Sequence, residues 1–417
     1  MFNNISRVPI YWGYGVMGLW GSDEIFLIHF PYTKMSWRTF DPSFDYVMGP
    51  GHQSEPYQTS SMKNSTAHHW GQLKLLIAEI QFLTRHSNPA NGGLVVYVAA
   101  GPGEHIPDLI RMFPEYHFHL FADRFQGGLV VNIPEEIKGK YTPHVRFFGD
   151  EDAKHLRAET DKGGPVYFIS DIRTGEVKEA PEAPGASRAQ SAQSVPDANF
   201  EEQVLINMRQ QEKWVEIIRP TAAHLKFRLP YVTAGQKTDN LNYLRGVLYV
   251  QQWGPLSTSE CRLVVPRPAD DEPYPKQDWN LKYHEDAMYY HNLRTRQIVN
   301  YYNIVTGDKI PLDAKLGLYS TYDPTATASI IRDYLLTRGY KNVRGSDISS
   351  LFLEFIMNIN PEKRFKSIKE HADYVAKKED ERIKAEQRKN VGFAGGERVS
   401  RVMTNVPAKT RYSKPKP

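Results

Sequence analysis

Residues 94–105, LVVYVAAGPGEH, decide the fold. Val95, Val96, Tyr97 and Val98 are β-branched or aromatic, the composition of a strand covered on both faces. Gly101, Pro102 and Gly103 then turn the chain where a side chain would obstruct a ligand. From Ile106 the spacing Ile106, Leu109, Ile110, Phe113 is helical, with Pro107 in the tolerated first turn. Strand, glycine turn and helix predict the ligand-side entry of an α/β fold with a mostly parallel sheet.

By itself this turn is compatible with NAD, a nucleotide or S-adenosylmethionine. A triphosphate cradle needs GK[ST], which the turn lacks, and AxGPGxH differs from the GxGxxG of dinucleotide sites. S-adenosylmethionine therefore leads. Twenty residues past Gly103, HLFADRF predicts a second strand ending at Asp123, an acid suited to a ribose diol. A tight turn followed by an N-capping acid is the plainer alternative.

The 417 residues suffice for a large core, and composition is that of an ordinary globular chain. No apolar run approaches ~20 residues, so no membrane partner is expected. One cysteine, Cys261, excludes an internal disulfide and a cysteine-based zinc cage, and implies a reducing, cytoplasmic setting. No metal-ligand spacing stands out. Residues 361–417 hold 16 Lys and Arg against 8 Asp and Glu, a net +8, which leaves −4 for the rest of a chain whose total is +4. A basic tail of that kind suits a polyanionic partner.

Three regions follow: an aromatic- and glycine-rich extension (1–60), a central domain (61–360) and a basic helix and tail (361–417). In the central domain GQLKLLIAEIQFL places Leu73, Leu76, Ile77, Ile80 and Leu83 on one helical face, with Lys74 near the start. VRFFGDEDAKH reads as a third strand with an acidic turn at Asp150. PVYFISDIR is a buried strand delivering Asp171 beyond its carboxyl end, where open α/β sheets bind ligands. Residues 175–198 form a long Ala-, Pro- and Ser-rich loop. Asn199 to Ile218 is helical, and AAHLKFRLPY is a strand with Lys226 in its middle, either central or, if the lysine snorkels, at an edge. Glu260 opens a further strand.

The blocks GQLKLLIAEIQFL, VVYVAAGPGEHI, ISDIR, LKFRLPY, STSECRL and EDAMYYHN, in this order, resemble the poxvirus cap-specific mRNA (nucleoside-2′-O-)methyltransferase family, which doubles as the poly(A) polymerase stimulatory subunit. The resemblance implies a Rossmann-like methyltransferase fold with a K-D-K-E tetrad: Lys74, Asp171, Lys226 and Glu260. It implies methyl transfer from S-adenosyl-L-methionine to the ribose 2′-OH beside a capped 5′ end. Lysine suits such chemistry, because burial and a second cation lower its pKa until it can take the hydroxyl proton. That role falls to Lys226, with Lys74 stabilising the developing alkoxide.

For the donor, the matching positions are Ala99, Gly101, Pro102, Gly103 and His105 at the turn, Asp123 for the ribose, Phe148 and Gly149 by the adenine, and Asp171 and Arg173 at the methionine end. Ala99 departs from the family's glycine. For the cap, a cationic methylguanine suits a sandwich between aromatic rings, matched by Tyr231 and Tyr57, with Glu285 for the guanine edge. Thr233 stands where the family has a second acid. Expected partners are capped mRNA, a poly(A) polymerase catalytic subunit or other capping proteins. Two further readings remain: 2′-O-methylation of uncapped ribosomal or transfer RNA, and an RNA-binding processivity role without methylation.

Overall fold

The computed structural model describes residues 47–48, 52–58, 70–125, 129–130, 133–173, 198–232, 239–269, 272–297 and 322–359. The chain divides into units of residues 1–368 and 369–417, and everything described belongs to the first. The long loop, the basic tail, Thr233 and most of the N-terminal extension of the sequence reading lie outside the described residues.

Among the described residues one eight-stranded sheet runs in the order β1-β8-β9-β6-β5-β2-β3-β4. Its parallel half is β2 (Gly93–Val98), β3 (Tyr116–Ala122), β4 (Tyr141–Val145), β5 (Val166–Ser170) and β6 (Ala222–Phe227). Antiparallel pairing of β6 with β9 (Cys261–Pro266), β9 with β8 (Val247–Tyr249) and β8 with β1 (Val47–Met48) completes it. A separate ribbon pairs β7 (Asn240–Leu244) with β10 (Lys276–Asn280).

The organising strand lies where it must. β2 pairs in parallel with β3 on one side and β5 on the other, and Val95 to Val98 are buried. The chain steps outward through β3 and β4, then returns to β5 and β6 across β2. Strand order thus reverses between β2 and β5, opening a crevice at their carboxyl ends. This is a Rossmann-like α/β fold, as the sequence implies.

Helices cover the sheet for the reason their spacing gives. In α1 (Gly71–His86) the predicted face Leu73, Leu76, Ile77, Ile80 and Leu83 is fully buried, and each side chain so removed from water contributes about 1.5–3 kcal/mol. Helix α2 (Ile106–Met112) follows the glycine turn, and α4 (Ala198–Ile218) links β5 to β6. Helices α5 (Leu281–Leu293), α6 (Tyr322–Thr337) and α7 (Gly345–Ile359) come last in the described chain.

One reading changes. Residues 145–155 are not a strand with a turn, for β4 ends at Val145 and Asp150 starts α3 (Asp150–Asp161). Asp150, Glu151 and Asp152 fill its first turn, where carboxylates oppose the helix dipole, and Asp152 Oδ2 accepts the Gly149 N–H at 2.9 Å. Three acids in succession after glycine signal a helix start.

Candidate active site

The four tetrad residues come from four elements. Lys74 lies in the first turn of α1, Asp171 one residue beyond β5, Lys226 within β6 and Glu260 one residue before β9. Their side chains meet. Lys226 Nζ is 3.0 Å from Asp171 Oδ1 and 3.5 Å from Glu260 Oε2, and Lys74 Nζ is 2.6 Å from Glu260 Oε1. Lys226 is in a central strand rather than at an edge, paired with β9 as well as β5.

Two arginines join them. Arg262 Nη2 donates to Asp171 Oδ1 at 2.7 Å, and Arg173 Nη2 to Glu260 Oε2 at 2.8 Å. The β6–β9 register sets Lys226 directly opposite Arg262. Like charges facing across a sheet repel, so the strands require anions between them. Asp171 and Glu260 fill that role, and Gln251, with its amide turned so that both ends are satisfied, bridges the remaining atoms, nitrogen 3.3 Å from Glu260 Oε1 and oxygen 2.9 Å from Arg262 Nε.

Titration follows from this packing. Burial lowers the Lys226 pKa, Asp171 and Glu260 resist, and Arg173 and Lys74 push it further down. Burial would raise the carboxyls of Asp171 and Glu260, but Lys226 and the other cations outweigh it and hold both below the usual carboxylate range. Arg262 is buried too, yet the same carboxylates keep it firmly charged.

The strap Trp253–Glu260 is gripped from behind. Its carbonyls at Trp253, Gly254, Thr258 and Ser259 accept from Trp70 N (2.8 Å), Arg296 Nη2 (2.9 Å), Asn292 Nδ2 (2.8 Å) and His284 Nε2 (2.9 Å). Arg296 is in turn fixed by Asp323 at 2.6 Å, an ion pair closed to solvent. Glu260 is therefore placed by groups 24 to 190 residues away in sequence (His284 and Trp70 are the limits).

A cleft of about 1380 Å³ opens over this cluster, and Lys74, Asp171, Lys226 and Glu260 all line it. So do Ala99, Gly101, Asp123, Phe148, Gly149 and Arg173 of the predicted donor set. Ala99 has φ 60°, the left-handed conformation that glycine adopts freely and alanine at a cost of about 1–2 kcal/mol. The backbone thus keeps the shape expected of the family's glycine. At Gly101 a Cβ would sit 2.4 Å from the Arg124 carbonyl oxygen, so no side chain fits. Asp123 is exposed just past β3, its carboxylate open to the cleft.

Pro102, Gly103 and His105 are not among the cleft-lining residues. His105 is buried under the turn, with Nδ1 2.7 Å from Gln72 Oε1 and Nε2 3.0 Å from Glu79 Oε2. Glu79 also accepts from the Tyr97 hydroxyl at 2.5 Å. His105 thus braces Gln72, which does line the cleft, and at Gly103 an added Cβ would collide with Leu129. Phe148 is mostly packed among Phe121, Phe168 and Trp214, whereas its neighbour Phe147 is 75 % exposed.

Tyr231 reaches the same cleft. Tyr57 rides on α5: its N–H donates to Asp286 Oδ1 at 3.2 Å, and its ring centroid is 5.2 Å from that of Tyr289. Burial, with Tyr231, Glu285 and Tyr289 nearby, raises its phenol pKa. Tyr57 and Glu285 are not among the cleft-lining residues, and Glu285 pairs with Lys282 at 3.2 Å.

Comparison with known proteins gives the family of the chain. Residues 47–377 match the model of the family described as poly A polymerase regulatory subunit. The chain belongs to that family. It is 26% identical over 197 residues to the cap-specific mRNA (nucleoside-2′-O-)-methyltransferase of fowlpox virus (strain NVSL), covering 46% of this chain and 57% of that one. It is 25% identical over 240 residues to the protein of the same name from myxoma virus (strain Lausanne), covering 56% and 64%. The matches thus span less than two thirds of either relative. A solved structure of the bluetongue virus capping protein VP4 aligns with TM-score 0.34 and 11% identity over 58% of this chain and 32% of that one, too little to carry an argument.

In this member of the poly A polymerase regulatory subunit family, sequence reading missed Arg262, Gln251 and Gln72. Arg262 was findable: it follows Glu260 by two residues, so in extended chain both point to one face. An arginine inside the apolar run CRLVVP demands a buried anion.

Proposed function

We propose that the protein is a cap-specific mRNA 2′-O-methyltransferase that uses S-adenosyl-L-methionine, with Lys74, Asp171, Lys226 and Glu260 at its centre. The carrying observation is the convergence of two lysines and two carboxylates in one cleft at the carboxyl ends of β2 and β5.

The cleft residues fit the donor. An exposed carboxylate at Asp123 suits a ribose diol, and Asp171 with Arg173 offers both charges to an amino acid end. The donor supplies an activated methyl group on a sulfonium. The protein's own task is the proton. Lys226, its pKa lowered by burial and by Arg173 and Lys74, takes the 2′-hydroxyl proton at Nζ. Lys74 and Arg173 supply positive charge where the oxygen becomes anionic. Asp171 and Glu260 orient the cations and hold them together.

Tyr231 and Tyr57 offer rings for a methylated guanine, and Glu285 a carboxylate for its edge. The names of the relatives support this substrate. A second role beside a poly(A) polymerase catalytic subunit is favoured by the family description, and copurification with such a subunit checks it.

The deciding experiment is methyl transfer to short RNAs with and without a methylated cap, followed by nuclease mapping. The expected product is a 2′-O-methylated first nucleoside on capped RNA alone. Equal methylation of uncapped RNA would move the substrate to ribosomal or transfer RNA, and no transfer would leave only the binding role.

A further inference from the structure

At the start of α4, Phe200 and Glu201 face the segment Arg228–Tyr231 that leaves β6. Arg228 donates to Glu201 through Nη1 at 2.9 Å and Nη2 at 2.7 Å, a bidentate pair. Glu201 Oε2 also accepts the Tyr231 N–H at 2.8 Å. The Arg228 guanidinium lies 4.3 Å from the Tyr231 ring centroid and 5.2 Å from that of Phe200, held between the two rings. At the ring's tip, Ser259 Oγ donates to the Tyr231 hydroxyl at 3.3 Å. The ring is thus fastened at its backbone, at one face and at its hydroxyl, and Ser259 immediately precedes Glu260.

A ring with a guanidinium on one face has only the other face open to a planar ligand. A second cation stacked there would meet the first across the ring, at about 8 Å if stacking spacing is ordinary. At that distance, in a half-desolvated wall, the repulsion is comparable to what a cation–π contact provides. The Glu201 carboxylate cancels it, so the open face sees a neutral pair.

We infer that Glu201, acting through Arg228, is a positioning residue that lets Tyr231 accept a cationic, methylated guanine in preference to a neutral one. This rests on the cap reading above. Glu201 touches neither the base nor the reacting atoms. Its work is to set the ring and neutralise the cation behind it. The tie through Ser259 places the stacked base at a fixed reach from the lysines, which would direct methylation to the first transcribed nucleotide.

The test measures dissociation constants of the full chain for the dinucleotides m7GpppA and GpppA. Wild-type protein is expected to prefer the methylated one. Glu201→Gln keeps shape but removes charge, and should weaken m7GpppA about tenfold, within the range of a partly desolvated cation–π contact, while GpppA changes less than about twofold. Turnover at saturating capped RNA should stay within about twofold. Glu201→Asp, which retains the charge, should recover much of the preference. In the double variant Glu201→Gln/Arg228→Met the buried cation is gone, and the preference for m7GpppA should return.

Equal weakening of both dinucleotides by Glu201→Gln would reduce the clamp to ordinary structural support and overturn the inference. So would an unaltered preference, or a double variant no better than the single. Those failures leave the cap reading intact. A wild-type protein with no preference for m7GpppA overturns the cap reading itself, and the inference with it.

Discussion

The two halves of the sheet carry charge in opposite ways. In the parallel half, β2 to β5, strand interiors are mostly apolar, and the carboxylates that line the cleft come after the strands, as at Asp123 and Asp171. In the antiparallel half, counted from the seam strand β6 whose other edge runs parallel to β5, the charges sit inside the strands, with Lys226 in β6 and Arg262 opposite it in β9. Charges in loops are placed by local turns. Charges in strands are placed by register, since a one-residue slip would turn them to the other face. The first arrangement suits holding a donor, and the second suits fixing cations at a set separation.

Breaking the antiparallel half should have the largest effect. Lys226→Ala is expected to cut methyl transfer by about 10³-fold, within the 10²–10⁴ of a lost general base, with donor affinity measured by calorimetry unchanged. If activity persists, proton removal belongs elsewhere. The pH profile sharpens the same point. Lys226 must be unprotonated to accept, so turnover should rise with pH and level off above its lowered pKa. Arg173 helps to push that pKa down, so Arg173→Ala should move the rise to higher pH.

Altering the parallel half should act on donor binding. Asp123→Ala removes a carboxylate with no other assigned task and is expected to weaken S-adenosylmethionine about tenfold, the worth of one charge-assisted hydrogen bond. Turnover at saturating donor should hardly change. A large fall in turnover with normal affinity would blur the division between the halves.

The smallest effect concerns what lies under the antiparallel half. His86 is buried, 3.2 Å from the Tyr249 hydroxyl, and burial, with the Arg85 charge, lowers its pKa to about 3. Its unfolded pKa is near the ordinary 6.5, so it favours the native state above that value, and the contribution is lost as pH falls from 6.5 towards 3. The slope is about 1.4 kcal/mol per pH unit. His86→Phe should therefore narrow the difference in urea stability between pH 7.5 and pH 5 by about 1–2 kcal/mol. An unchanged difference would assign the acid sensitivity to other buried groups such as His224.

Legibility in the sequence divided along the same line. The organising strand, its glycine turn and the helix after it were readable because all three signals are local. So was the apolar face of α1. Helix α3 was missed because an acidic run was taken for a turn. His105 was assigned to the donor by position in a motif, whereas packing puts its ring beneath the turn. Arg262 was overlooked although alternation in β9 points it towards Glu260. Nothing local signals the Glu201–Arg228 clamp, since its partners are 27 residues apart and a 24-residue stretch of undescribed chain precedes α4.

By itself the sequence determined what short-range physics can encode: a buried parallel strand, a glycine turn after it, amphipathic helices, and one lysine, Lys226, inside an apolar strand. Only the tertiary structure decided how those charges meet. Antiparallel pairing set Lys226 across from Arg262, and that juxtaposition in turn requires Asp171 and Glu260 between them. The reason is range. Propensity and periodicity act over a few residues, whereas an ion network of this kind exists only when strands remote in the chain share one register.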